Sequence, residues 1–246
     1  MCAVLLSAVL FSILSLATKA EETYTIRVMS EHSVPIDVHF FTHPATFNGD
    51  TGEFTNSLGT KTVQPSHKSQ ATFTYNKTTF YAAAQKTIGE HHLVQTESIA
   101  MQEINLKSKD KDDAQTVAMS FDDNLDPVLS DPATSSGGMV LNGSFQIKTP
   151  AYKGDQGTYR VGLGAITNGV YEIATYTLAE PYRTIDVQPV MKFYVNVNKI
   201  QKGAGVHFVS KSRTSALCDA TTGIKDFTVV YRSDGLWEVN GKSQEG

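Results

Sequence analysis

Residues 158–178 read TYRVGLGAITNGVYEIATYTL, two apolar, β-branched and aromatic runs on either side of Asn168-Gly169. That dipeptide tolerates positive φ at both central positions of a type I′ turn, so the stretch is expected to form a β-hairpin. A two-residue turn sets the register. Thr167 faces Val170, Ala165 faces Glu172, Leu163 faces Ala174, Val161 faces Tyr176 and Tyr159 faces Leu178. Side chains alternate between the faces of a strand. One face then collects Tyr159, Val161, Leu163, Ala165, Val170, Ala174, Tyr176 and Leu178, with Glu172 as its only charge. This is the expected core face. The other carries Arg160, Gly162, Thr175 and Thr177 at a solvated open end, and Ile166, Tyr171 and Ile173 near the turn. Such one-sided alternation suits an antiparallel sheet packed on a second layer.

Strand periodicity extends outward from this hairpin. Residues 23–29 and 34–42 alternate around a polar turn and read as a first hairpin. Residues 43–56, HPATFNGDTGEFTN, form a long loop with turn chemistry at Pro44, Asn48-Gly49-Asp50 and Gly52; loops of that length carry function or move. Further strands are expected at 59–63, 70–75, 78–83, 93–103, 115–121, 140–148, 190–197 and 205–210. A last hairpin, 226–232 with 236–240, turns at Asp234-Gly235 and sets Arg232 opposite Trp237 for a cation–π contact. No segment has a convincing helical stripe and no repeat recurs at a fixed period. The expected fold is all-β, an antiparallel sandwich or flattened barrel built from hairpins. It forms one domain over residues 21–246, with a long loop near 126–138.

Residues 3–17 are apolar apart from serines and lead to Thr18-Lys19-Ala20, a small-x-small junction before Glu21-Glu22. This pattern predicts a secretory signal peptide over residues 1–20 and a secreted, extracellular protein. The polar C-terminus lacks the apolar tail of a lipid-anchor signal, so no membrane anchor is expected. Cys2 leaves with the signal, and Cys218 then has no intramolecular partner. It is either buried as a small hydrophobe or paired between molecules. The net charge of −4 offers no basic stripe for nucleic acid. Asn76-Lys77-Thr78 and Asn142-Gly143-Ser144 are glycosylation sequons, which makes Asn76 and Asn142 expected surface positions of a glycoprotein.

Catalytic signatures are absent: there is no G-x-S-x-G and no H-E-x-x-H. Gly162-x-Gly164 lies inside a strand and has no third glycine, which excludes a dinucleotide loop. Cys218 sits beside Asp219, which opposes thiolate formation. His39 and His43 lie about 13 Å apart in an extended strand and meet at a metal only if the chain bends. Asp122, Asn124 and Asp126 alternate as calcium ligands do, but Pro127 and Ala133 stand where an EF-hand needs glycine and glutamate. A looser calcium site is the one cofactor candidate, set against a plain solvated turn; otherwise no cofactor is expected. Phe41, Phe47, Phe54 and Tyr152 fall in loop-like settings and are the candidate binding aromatics. The function expected first is non-enzymatic binding of an extracellular partner: a glycan, a cell surface or a protein. The alternatives are a sandwich or barrel enzyme without a recognisable motif, either a hydrolase or a small-molecule catalyst, and a membrane-active β-protein. Arg160 and Glu172, on opposite faces, deny the central hairpin a clean lipid-facing side.

Overall fold

The computed structural model describes residues 23–65, 69–76, 79–88, 95–109, 114–134, 140–153, 157–167 and 170–242. These residues build four sheets, mostly antiparallel, and none of the sheets closes into a barrel. The first sheet has the strand order Trp237–Lys242, Asp226–Tyr231, Thr23–Ser30, Ala71–Asn76, and the second the order Ala216–Asp219, Lys192–Val197, Ile36–Thr42, Gly59–Val63. Alternate residues of both turn into one core, where Tyr24, Ile26 and Val28 meet Val38, Phe40, Phe193 and Cys218. Ring pairs bridge the layers, Tyr24 to Phe193 at 5.2 Å and Phe40 to Phe73 at 5.3 Å.

The strands at 23–30 and 36–42 are therefore not a hairpin. Thr23–Ser30 pairs in parallel with Asp226–Tyr231, and Ile36–Thr42 pairs with Lys192–Val197 within the facing sheet. Thr23–Ser30 buries every second residue and Ile36–Thr42 all but Asp37, and neither pattern tells whether the chain turns within a sheet or arches between two. The last hairpin also departs from the two-residue register. Tyr231 pairs with Trp237, Arg232 N–H donates to the Leu236 carbonyl, and Gly235 takes φ of 80°. This is a three-residue loop ending in a left-handed glycine. Trp237 consequently packs on Tyr231, with ring centroids 4.6 Å apart and planes tilted by 46°, rather than on Arg232.

The other two sheets form a second sandwich. One has the order Pro127–Leu129, Gln115–Phe121, Phe145–Lys148, Thr184–Gln188, Thr46–Phe47, Asp50–Thr51, with Ala133–Thr134 beside Gln115–Phe121. Two short strands thus lie in the stretch expected as a loop. The facing sheet has the order Gly205–His207, Phe54–Asn56, Val170–Leu178, Thr158–Thr167, Phe80–Ile88, Gln95–Ile104. Their shared core includes Val117, Phe145 and Ile147 against Tyr159, Val161 and Leu163. A five-residue helix, Phe208–Ser212, stands where 205–210 was expected to remain extended.

The central hairpin keeps its expected register near the turn and loses it halfway along. Thr167 pairs with Val170, Ala165 with Glu172 and Gly164 with Ile173; Asn168-Gly169 itself lies outside the described residues. A β-bulge then intervenes, and Leu163 pairs with Thr175, Gly162 with Tyr176 and Arg160 with Leu178. One extra residue reverses the facing of everything beyond it. Tyr176 moves to the face of Arg160. That arginine is only 1% exposed, with its guanidinium 4.3 Å above the Tyr176 ring. Val170 and Leu178, both expected in the core, are 51% and 40% exposed. Glu172 is half-buried and pairs with Lys202 at 3.2 Å. Gly162 admits the bulge: a Cβ there would stand 2.1 Å from the Thr175 carbonyl oxygen and 2.9 Å from the Tyr176 Cα.

Gly162→Ala is expected to destabilise the fold by about 3 kcal/mol, the upper range for overpacking against backbone that has no room to move. Gly59→Ala, whose nearest neighbour is a Phe73 ring carbon at 3.6 Å, should cost less than about 1 kcal/mol. Denaturant titration of the two variants tests the difference. Cys218 is wholly buried, and desolvation pushes its thiol up to about 12. The native protein should therefore resist a thiol reagent that labels the denatured chain completely, read by intact mass.

Candidate binding cleft

The loop at 43–56 crosses from one sheet of the second sandwich to the other. Thr46–Phe47 and Asp50–Thr51 pair across Asn48-Gly49, whose φ values of 52° and 94° are the two left-handed positions of a tight turn. The tip is pinned to the neighbouring strand: Asn48 N–H donates to the Asp186 carbonyl at 3.0 Å, and Asn48 Oδ1 accepts from Asp186 N–H at 2.8 Å. Gly52 then lets the chain pass beneath the Phe47 ring, since a Cβ there would stand 2.7 Å from the ring. Phe54–Asn56 continues as a strand of the facing sheet, with Phe54 opposite Tyr176.

Between these anchors opens a cleft of about 630 Å³. Phe47, Phe54, Tyr176 and Ile185 give it apolar walls. The Phe54 and Tyr176 rings stack at 5.5 Å and 7°. The Tyr176 hydroxyl is buried without a hydrogen-bond partner among the described residues, and burial raises its pKa. Asp50, Glu53, Glu180 and Arg183 lie at the exposed rim. Arg183 Nε donates to Glu180 Oε2 at 2.8 Å. Among the described residues, Asp50 and Glu53 make no ion pair.

Two of the four candidate aromatics, Phe47 and Phe54, meet here. Phe41 does not reach the surface: it is fully buried against Tyr194 at 5.4 Å. Tyr152 is half-buried over Phe121 and Tyr159, and its hydroxyl donates to the Ala179 carbonyl. At the candidate calcium turn, Asp122 Oδ1 accepts the backbone N–H groups of Asn124 and Asp126, each at 2.9 Å. The cation at that turn is Lys86, which donates to the Asn124 carbonyl at 3.0 Å and stands 3.5 Å from the Asp126 carboxylate. Asn142 is exposed in a turn where Gly143 takes φ of 74° and the Ser144 hydroxyl donates to Leu141. Asn76 is exposed at the end of its strand; Lys77 and Thr78 lie outside the described residues, as do residues 1–20.

Tyr176 and the four charged rim residues were not candidates from sequence. The turn chemistry at Asn48-Gly49-Asp50 was the available signal for the lip. For Tyr176 the hairpin pattern pointed to the opposite face.

His39 and His43 do not converge, because Ile36–Thr42 is an unbroken strand. His43 Nδ1 donates to the Pro44 carbonyl at 2.8 Å, and its ring packs on Phe208 at 4.6 Å. His39 is wholly buried beside Phe41, and neither ring nitrogen has a partner among the described residues. Burial, with Lys211 adding repulsion, lowers its pKa to about 4.

Comparison with protein-family models, curated proteins and solved structures found no match.

His39 gives stability a defined pH dependence. Its folded pKa lies below the unfolded value, so the native state excludes a proton that the denatured state accepts. Nothing is lost above pH 6.5, the unfolded value; between there and about 4, stability should fall by up to about 3 kcal/mol. Denaturant midpoints measured across that window check this, and His39→Leu should lack this part of the decline.

Proposed function

We propose that this chain is a secreted, non-enzymatic binding protein that takes an extracellular glycan in the cleft behind the 43–56 loop. The observation that carries this reading is a cleft in which part-exposed Phe54, backed by the buried Tyr176 ring at 5.5 Å, lies beneath a carboxylate rim. Aromatic faces stack on the apolar faces of sugar rings, and carboxylates accept hydrogen bonds from sugar hydroxyls. The volume of about 630 Å³ lies within the range of small-ligand sites. Secretion rests on the apolar leader and its small-residue junction.

Among the described residues, no histidine, serine or cysteine lines the cleft, so these residues assemble no nucleophile–base pair of that kind there. The rim carboxylates are the groups a glycoside hydrolase would require. All three are solvent-exposed, whereas a general acid of that class is held in an apolar pocket. Binding is therefore favoured over hydrolysis.

Leu178→Arg tests the site without touching either core, because Leu178 is exposed on the cleft wall. Affinity for a glycan identified on an array should fall at least about tenfold, while unfolding free energy stays within about 0.5 kcal/mol. A blank array removes the glycan reading. A bound glycan indifferent to Leu178→Arg places the site elsewhere.

A further inference from the structure

We infer that two copies of this chain join through the edge strand Trp237–Lys242, antiparallel across a two-fold axis at Asn240, so that Glu238 of each copy meets Lys242 of the other. This strand ends its sheet, with Asp226–Tyr231 on one side only. The turn before it fixes which backbone groups look outward. Arg232 N–H donates to the Leu236 carbonyl and Gly235 N–H to the Arg232 carbonyl, so residues 232 and 236 form a hydrogen-bonded pair. Such pairs alternate along an antiparallel ladder. The register then assigns the bonds to Asp226–Tyr231 to Glu238, Asn240 and Lys242. The far side of Asp226–Tyr231 agrees. Thr25 N–H donates to the Lys225 carbonyl and Glu31 N–H to the Tyr231 carbonyl, which turns residues 225 and 231, and those alternating between them, toward Thr23–Ser30. The N–H and C=O groups of Trp237, Val239 and Gly241 therefore point out of the sheet edge. Among the described residues they have no partner.

An open edge of this kind recruits another strand. The charge pattern selects a second copy. With Asn240 on the axis, Val239 of each copy pairs with Gly241 of the other, and each pair exchanges both of its backbone bonds. The same register sets Glu238 directly across from Lys242 at both ends, and opposite charges so placed stabilise a pairing. An axis at Val239 would instead set Glu238 against Asn240. Glu238 and Lys242 are both exposed, and Lys242 makes no ion pair among the described residues. Glu238 has only Arg232, at 3.9 Å, and the Asn240 amide. Trp237 and Val239 pack against the first core, which leaves the strand firmly seated with its edge open. At the opposite edge of the same sheet a lysine intervenes, for Lys61 Nζ donates to the Thr72 carbonyl.

Sedimentation velocity on the whole chain should show a monomer–dimer equilibrium in the micromolar range, weakened by salt. Lys242→Glu alone and Glu238→Lys alone each set like charges across the axis at both ends, and each should weaken the dimer about tenfold. An equimolar mixture of these two variants should dimerise as the unaltered chain does, because every facing pair is then opposite in charge. Val239→Pro removes an N–H that points outward, so that chain should keep its circular dichroism and become monomeric. A chain that stays monomeric throughout the micromolar range overturns the inference. A dimer indifferent to the single reversals, or reversal variants that do not combine, also overturns it. If Val239→Pro fails to fold, the mixture decides.

Discussion

The contact on which this architecture turns is the approach of the Thr175–Tyr176 backbone to Gly162. There is no space for a side chain at that point, so the strands come this close beside the bulge only because residue 162 lacks one. The bulge reverses the facing of the strand beyond it. Tyr176 is carried over to Arg160, and both side chains are buried there. The same reversal brings Tyr176 opposite Phe54, and their stacked rings become a wall of the cleft. Packing, burial of a charge and the candidate binding surface therefore share one backbone irregularity.

The central hairpin also joins the two halves of the molecule. Ala165 and Ala174 pack with the first core, while Tyr159, Val161 and Leu163 pack with the second. Both faces of Thr158–Thr167 are covered along most of its length, which is unusual for an antiparallel strand with one wet side. The small residues at 162, 164, 165 and 174 let layers approach at this crossing. A Cβ at Gly164 would stand 2.6 Å from Met101 Cε.

What the sequence made legible was local. Alternation identified most strands, and Asn168-Gly169 placed the register correctly as far as Gly164 and Ile173. Phe47 and Phe54 were found because turn residues marked their loop. Arg160 and Tyr176 were misplaced because a bulge leaves no mark in alternation beyond a glycine, and glycines in strands have several meanings. The same limit applied to Asp234-Gly235, which supports turns of two lengths with registers one residue apart. The pairing of Thr23–Ser30 with Asp226–Tyr231 had no local signal, since parallel neighbours can be any distance apart in the chain.

That last pairing has a consequence for how the protein is made. Thr23–Ser30 lies between Asp226–Tyr231 and Ala71–Asn76, so the first sheet needs a strand from each end of the chain. Arg27 and Asp226, 199 residues apart, meet in that sheet, and closing so long a loop makes the transition slow. Emerging residues at the N-terminal end wait with an unpaired, alternating apolar edge until almost the whole chain has been synthesised. An apolar edge left open over that interval is a place where another molecule can pair.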